Sequence, residues 1–248
     1  MAQLEISYKL SLLPKFTIVL TMCGRFSLLT NVKALIERFK IDNAEVRPEP
    51  RYNVAPAQMV STVIEANSRH LVSMRWGLIP HWAKDSKIGN KMINARVESV
   101  ATKGVFKPAL KKRRCLILAD GFYEWQKVGS TKTPFYIRMK NKEPFAFAGL
   151  YEKWKSPSEK IIQSCTILTT EPNALMKPIH NRMPVILKED DEATWLDTGN
   201  EDVDSIIKLL KKYPANQMEA YEVSTYVNSP KNTGSQCIRP STQTTLDF

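Results

Sequence analysis

Short runs of apolar residues, several alternating with polar ones, occupy the middle of the chain and predict a mostly β protein. Residues 59–65 and 70–79 read as two strands, and 133–140, 144–151 and 161–170 as three more at short spacing. That spacing suits an antiparallel barrel or sandwich. Further strands are expected at Val185–Leu187 and 219–224. Val32, Leu35, Ile36 and Phe39 recur at helical intervals behind Thr30, which can cap the first turn, so 31–40 should form a helix with a core-facing stripe. Two more helices are expected at about 189–196 and 201–213, and a helical turn at 171–176. Pro48, Pro50 and Pro56 make 51–56 an irregular loop. The apolar run that starts at Cys115 is expected to turn at Asp120-Gly121 and resume among aromatic residues around Glu124.

The 248 residues, 43% of them hydrophobic, can fill one core or two modest lobes. No Gly/Ser or Pro-rich linker and no repeat divides them, so the pattern reads as one α+β domain. The net charge is +11, of which residues 1–21 supply one unit through Lys9 and Lys15 against Glu5. Such a surplus suits a polyanion such as nucleic acid, with a solvated basic surface as the alternative. Lys111-Lys112-Arg113-Arg114 is the densest basic run and reads first as a solvated face.

Cys23, Cys115, Cys165 and Cys237 are far apart, and so are His70, His81 and His180. No zinc spacing is legible, no cofactor is implied, and the scatter points to a reducing compartment rather than a disulfide framework. Leu10 to Leu20 faintly resembles a signal core, but Pro14 and Lys15 interrupt it and no small-residue cleavage site follows. No apolar run of about 18 residues is present to span a bilayer.

Met22-Cys23 carries the sharpest chemistry. If the chain works from Cys23, one residue offers an α-amine and a thiol. The amine's reference pKa of about 7.7–8.0, against about 10.4 for lysine, makes it far more often neutral and nucleophilic near pH 7. It can form an imine with an aldehyde, and the thiol can then close a five-membered thiazolidine. An internal Cys23 cannot, because its nitrogen lone pair is delocalised into a peptide bond. The bland alternative is a buried cysteine. Residues 1–21 are accordingly expected to be an extension absent from the working protein, through a start set one methionine too early or a removed leader.

Other segments offer candidates with their own structural alternatives. Asn94 and Arg96 would share a face of an extended segment, or mark an ordinary strand-to-helix corner. Trp76 to Trp82 offers core plugs or a base-stacking platform. Glu124 alternates with Tyr123 and Trp125, so it points to solvent or sits in a site with a raised pKa. His180, between Ile179 and Asn181-Arg182 and just before Pro184, is poor core material.

Together, Met22-Cys23-Gly24-Arg25-Phe26, Arg51-Tyr52-Asn53-Val54-Ala55-Pro56, Trp76-Gly77-Leu78-Ile79-Pro80, Ile93-Asn94-Ala95-Arg96-Val97-Glu98, Ala119-Asp120-Gly121-Phe122-Tyr123-Glu124-Trp125 and Ile179-His180-Asn181-Arg182-Met183-Pro184 resemble the SRAP family of abasic-site processing proteins. The resemblance covers roughly residues 22–240 and implies one irregular, mostly antiparallel β barrel or set of sheets with flanking helices. It implies a positively charged groove for single-stranded DNA, capture of an abasic-site aldehyde as a thiazolidine, and autoproteolytic exposure of the cysteine. By position it makes Cys23 the nucleophile, Asn94 the residue that holds its amine or the sugar, Glu124 the proton carrier and His180 the general acid. Arg25, Arg96 and Arg182 would hold phosphates, with Asn53, Trp82, Phe106 and Trp125 touching backbone or bases. The expected protein is a monomer at the nucleoid or replication forks. Its rivals are a Cys23/His180 peptidase, a noncatalytic DNA-binding module and a protein lipid-anchored at Cys23. Residues 241–248 read as a flexible tail in which Gln243, Leu246 and Phe248 resemble a peptide that docks into the replication sliding clamp.

Overall fold

The computed structural model describes residues 23–246, with side chains described through residue 241. Residues 1–22 and Phe248, which carry the leader expectation and one clamp anchor, lie outside the described residues. The first half of the chain contributes β1 (Phe26–Leu28), α1 (Val32–Phe39), β2 (Asn43–Ala44), β3 (Arg51–Val54), β4 (Met59–Glu65), β5 (Arg69–Trp76), β6 (Asn94–Arg96), α2 (Val97–Val100), α3 (Lys107–Lys112) and β7 (Arg114–Ala119). The second half contributes β8 (Gly121–Val128), β9 (Thr131–Met139), β10 (Phe145–Lys155), β11 (Ile161–Thr170), β12 (Met183–Pro184), α4 (Glu189–Leu196), α5 (Val203–Lys208), β13 (Met218–Val223) and β14 (Pro240–Leu246).

Two sheets share the core. One runs β14-β13-β9-β8-β1-β3, and the other β12-β11-β10-β7-β4-β5-β2. In the second sheet β11 also pairs with β5 in parallel, which closes β11, β10, β7, β4 and β5 into a five-stranded barrel. Phe26, Trp76, Ile117, Phe147 and Ile167 fill the space within and beneath it. A second apolar layer, including Leu35, Phe39, Leu116, Leu118 and Trp195, fastens α1 and α4 to the barrel's outside. The expected α+β class and single domain are what this architecture shows.

The place where one strand becomes two sets up the site. β7 belongs to the barrel and β8 to the other sheet, and only Asp120 separates them. The expected turn at Asp120-Gly121 is therefore a corner between sheets and not a hairpin. Asp120 holds that corner by accepting from the Leu29 N–H, from the Thr30 N–H at 2.9 Å and from the Thr30 hydroxyl at 2.6 Å. Gly121 is required there, because a Cβ would collide with the Tyr136 ring.

Other local expectations shift for identifiable reasons. Thr30 is engaged by Asp120, and Asn31 caps α1 by accepting from the Ala34 N–H at 3.1 Å. Residues 51–54 form a strand because β1 offers them a partner, with Phe26 opposite Val54. The second of the late helices is shorter than its pattern, at Val203–Lys208. The tail expected to be free runs as β14, antiparallel to β13, and carries Gln243 and Leu246 into that strand.

The basic run is only partly a solvated face. Arg114 is 1% exposed, and its guanidinium donates to the carbonyls of Trp195 at 2.6 Å, Leu110 at 2.8 Å and Lys111 at 2.7 Å, and also to those of Asp197 and Asn200. One side chain thus satisfies the C-terminal carbonyls of α3 and α4. Arg114→Met would strand those acceptors, each at about 1–3 kcal/mol. We expect a stability loss of at least about 3 kcal/mol, a fall of roughly 6–12 °C in melting temperature for a chain of this size. A melting curve unchanged within 2 °C, on the order of half a kcal/mol, would contradict that role.

Candidate active site

The site begins with backbone pairing. β1 runs antiparallel to β8, with Ser27 opposite Gly121 and Phe26 opposite Phe122. The ladder continues one step further, since the Tyr123 N–H donates to the Arg25 carbonyl at 2.9 Å. This register brings the residues before β1 alongside Glu124. The Cys23 nitrogen donates to Glu124 Oε1 at 2.6 Å.

Glu124 lies on the inner face of β8 and is 2% exposed, whereas Tyr123 faces a separate cluster with Tyr136 and Tyr221. The period-two reading therefore resolves toward a buried carboxylate. Burial raises the Glu124 pKa, and the neighbouring His180 and Cys23 offset that rise in part. The Cys23 thiol is pushed well up by the same burial and by the Glu124 charge, with Arg182 pulling the other way.

His180 reaches the site from the turn that follows β11. Its N–H donates to the Met176 carbonyl at 2.8 Å, and Met176 is itself held by the Asn173 side chain at 2.9 Å. His180 Nδ1 lies 4.0 Å from Glu124 Oε1. The Arg182 N–H approaches Nδ1 at 3.1 Å and the Arg182 carbonyl lies 3.2 Å from it. A neutral ring accepts there and keeps its proton on Nε2, while a protonated ring turns a donor toward the carbonyl and Glu124. Cys23, Glu124 and His180 thus lie together in one buried or half-buried cluster.

Beside the cluster a cleft of roughly 730 Å³ is lined by Asn94, Arg96, Glu98, Lys103, Phe106 and Arg182, among others. Asn94 stands on β6, which joins β11 in parallel with Ile167 opposite Asn94. Arg96 is exposed at the same edge, and Phe106 is 6% exposed with its ring in the outer apolar layer. Trp82 is 61% exposed on a loop tied down by the Trp154 indole N–H, which donates to the Ala83 carbonyl at 2.6 Å.

Four of the expected DNA contacts, Arg25, Asn53, Trp125 and Arg182, are engaged with the protein itself. Arg25 donates to Asn53 Oδ1 at 2.7 Å and to the Val227 carbonyl at 2.9 Å, and stacks over Trp125 at 5.8 Å. The buried Asn53 amide donates to the carbonyls of Val227, Ser229 and Asn232. Trp125 donates to the Asn228 side chain at 2.7 Å. Together they fasten the loop 225–232 next to the segment that carries Cys23. No local pattern marks that loop, whose partners lie 103 to 202 positions away along the chain. Glu98, at the end of the Ile93–Glu98 motif, forms a two-pronged ion pair with Arg182 at 2.6 and 2.9 Å.

Among the described residues no group of three His, Cys, Asp or Glu side chains is arranged to hold a metal, and no helix is long and apolar enough to cross a membrane. The four cysteines are free and buried.

A family model described as SOS response associated peptidase (SRAP) matches residues 22–230. The chain is 50% identical over 221 residues to the abasic site processing protein YoqW of Bacillus subtilis (strain 168), covering 88% of this chain and 99% of the relative. It is 32% identical over 222 residues to the abasic site processing protein HMCES of Xenopus tropicalis, covering 77% of this chain and 66% of that one. A solved protein of Bacteroides thetaiotaomicron superposes with a TM-score of 0.81 at 24% identity, over 88% of this chain and 100% of the other, a likeness of fold alone. By the matched span and by these relatives, the chain belongs to the SOS response associated peptidase (SRAP) family.

Proposed function

We propose that the protein processes abasic sites in single-stranded DNA, joining itself to the lesion through an N-terminal Cys23. The observation that carries this reading is the Cys23 nitrogen held at 2.6 Å by a buried carboxylate whose other neighbour is a histidine. A carboxylate in that position costs free energy unless it moves a proton or holds a charge. The relatives YoqW and HMCES are both named abasic site processing proteins, and the open cleft next to the cluster presents exposed Arg96 and Lys103 to which phosphates could bind.

The reaction runs by condensation. With residues 1–22 absent, the terminal ammonium gives a proton to Glu124, and the amine attacks C1′ of the ring-opened deoxyribose. His180 protonates the ring oxygen as the sugar opens, takes up the proton that the C1′ hydroxyl releases, and then gives it to the carbinolamine hydroxyl as water departs, leaving an imine. The Cys23 sulfur adds to the imine carbon while its proton passes to the nitrogen, giving a thiazolidine with a net loss of one water. Asn94 steadies the amine or the sugar, Arg96 and Trp82 engage backbone and base, and Arg25 and Arg182 supply positive charge. Ring closure removes the electron sink that would otherwise drive β-elimination and strand cleavage.

A peptidase using Cys23 and His180 fits less well. Such enzymes need a thiol pKa held down, and here burial and Glu124 drive it up.

In Cys23→Ala the adduct is expected to vanish. Denaturing gels with abasic single strands should show at most reducible imine trapping, and intact mass should show wild-type chains that begin at Cys23 when active. A heat-stable adduct from the alanine variant, or from a chain still carrying its leader, sinks the proposal.

Glu124→Gln separates catalysis from folding. Cross-linking should slow by about 10²- to 10⁴-fold, the usual worth of general acid–base assistance, with strand affinity little changed. The wild-type rate should fall as pH drops through a pKa above the ordinary carboxylate range, because the base is then protonated. The stability effect has the opposite sense. A carboxyl with a raised folded pKa keeps a proton that the unfolded chain has released, so its burial destabilises increasingly as pH rises from the unfolded toward the folded pKa. At neutral pH the Gln variant should therefore melt at or above the wild type, with the difference closing near pH 4. Equal losses of binding and cross-linking, together with a lower melting temperature, would make Glu124 structural.

A further inference from the structure

A phosphate-binding arginine buried in a free protein needs something to hold its charge, and Arg182 has such a partner. Its residue is 9% exposed, and its guanidinium donates to both Glu98 carboxylate oxygens at 2.6 and 2.9 Å and to the Thr169 carbonyl at 2.6 Å. Its Nε is buried without a hydrogen-bond partner. The two side chains of the pair differ in exposure: the Arg182 side chain is 11% exposed, anchored between β11 and the turn that carries His180, whereas that of Glu98 is 49% exposed at the mouth of the cleft.

We propose that Glu98 is an internal stand-in for a DNA phosphate, occupying the Arg182 fork in the free protein and giving it up when a strand enters the cleft. The inference rests on the reading of the cleft as a single-strand groove. A carboxylate and a phosphate present the same pair of oxygens to a guanidinium, so the exchange leaves Arg182 where it is. Leaving Arg182 unpaired would be costly in a site this enclosed, and an exposed glutamate is the partner that can swing away cheaply. Arg182 also supports His180 through its backbone and acts on the Cys23 thiol through its charge. Replacing one anion by another keeps both effects constant as DNA arrives. The pair further screens against weak anions: a ligand must compete with a tethered carboxylate to occupy the seat.

Glu98→Gln tests this, because Gln retains the shape and one acceptor but not the charge. Single-strand affinity, measured by fluorescence anisotropy on an intact strand, should rise by roughly five- to tenfold, with the salt slope little changed because the same Arg182–phosphate contact forms in both proteins. Any acid removed from the cleft will tighten binding somewhat, so Glu171→Gln is the control. Glu171 lines the same cleft but pairs with the half-exposed Lys212 at 3.0 Å. Its removal should give about a twofold gain, of the order of a rim charge. In an Arg182→Gln background the extra gain from Glu98→Gln should disappear. The free variant should melt lower than wild type, and inorganic phosphate should restore its melting temperature while scarcely moving the wild type's.

Weaker binding by Glu98→Gln, a gain no larger than that of Glu171→Gln, or a gain that persists without Arg182 overturns the proposal. If the wild type fails to bind single strands while phosphate still rescues the variant, the anion seat stands and the DNA reading fails. If phosphate does not rescue the variant, the seat itself is wrong whatever the strands do.

Discussion

One hydrogen bond organises this molecule's chemistry: the Cys23 nitrogen on the Glu124 carboxylate, away from water. Making it requires three long-range conditions at once. β1 must lie in register beside β8, the chain must leave the barrel at Asp120 so that β8 joins the other sheet, and the His180 turn must cover the carboxylate from β11's end. Asp120 links the first two, since its carboxylate fixes the Leu29-Thr30 segment that follows β1 while its backbone is the corner itself. A fold that only needed to bury apolar area would have little use for a charged group here. Burial holds the Glu124 carboxyl above its ordinary range, which is what the proposed proton transfer requires.

The cations around this centre show a shared logic. Arg25 is held by Asn53 and the Val227 carbonyl, Arg114 by five carbonyls, Arg38 by Glu192, and Arg182 by Glu98 and Thr169. In each case a guanidinium with several donors ties together segments distant in sequence, a task a lysine's single ammonium would do poorly. The +11 net charge is therefore a poor guide to where an anion binds. Part of it is internal scaffolding, and at the cleft Arg96 and Lys103 remain exposed.

How much of this was legible follows from the range of each interaction. The strands at 59–65 and 161–170 and the helix at 189–196 appear where the local pattern puts them, because alternation and helical spacing are properties of adjacent residues. Strand Arg51–Val54 was hidden behind three prolines, since its pairing depends on β1 and not on its own composition. The corner at Asp120 reads as a turn for a related reason: Asp-Gly has the same local signature whether the chain reverses or changes sheet. Cys23, Glu124 and His180 could be singled out as chemically odd in their surroundings, but their meeting point could not be computed from spacing. Asn53 and Trp125 were visible as polar and aromatic groups near motifs. That they serve the loop 225–232 is decided by residues at the other end of the chain.

The electrostatics of the cluster also impose an order on the proposed chemistry. In the free site the Cys23 thiol is kept protonated by burial and by the Glu124 charge, so sulfur cannot lead. The nitrogen can, because the carboxylate that suppresses the thiolate is the group that relieves the ammonium of its proton. Once Glu124 has taken that proton, its negative charge no longer opposes thiolate formation. Once the imine has formed and is protonated, a positive charge one bond from the Cys23 side chain favours it. Both changes act in the direction of ring closure, and the second exists only after the aldehyde has reacted. In the proposed reaction the same buried carboxylate thus disfavours the thiolate in the free site, and the protonated imine favours it once the amine has reacted.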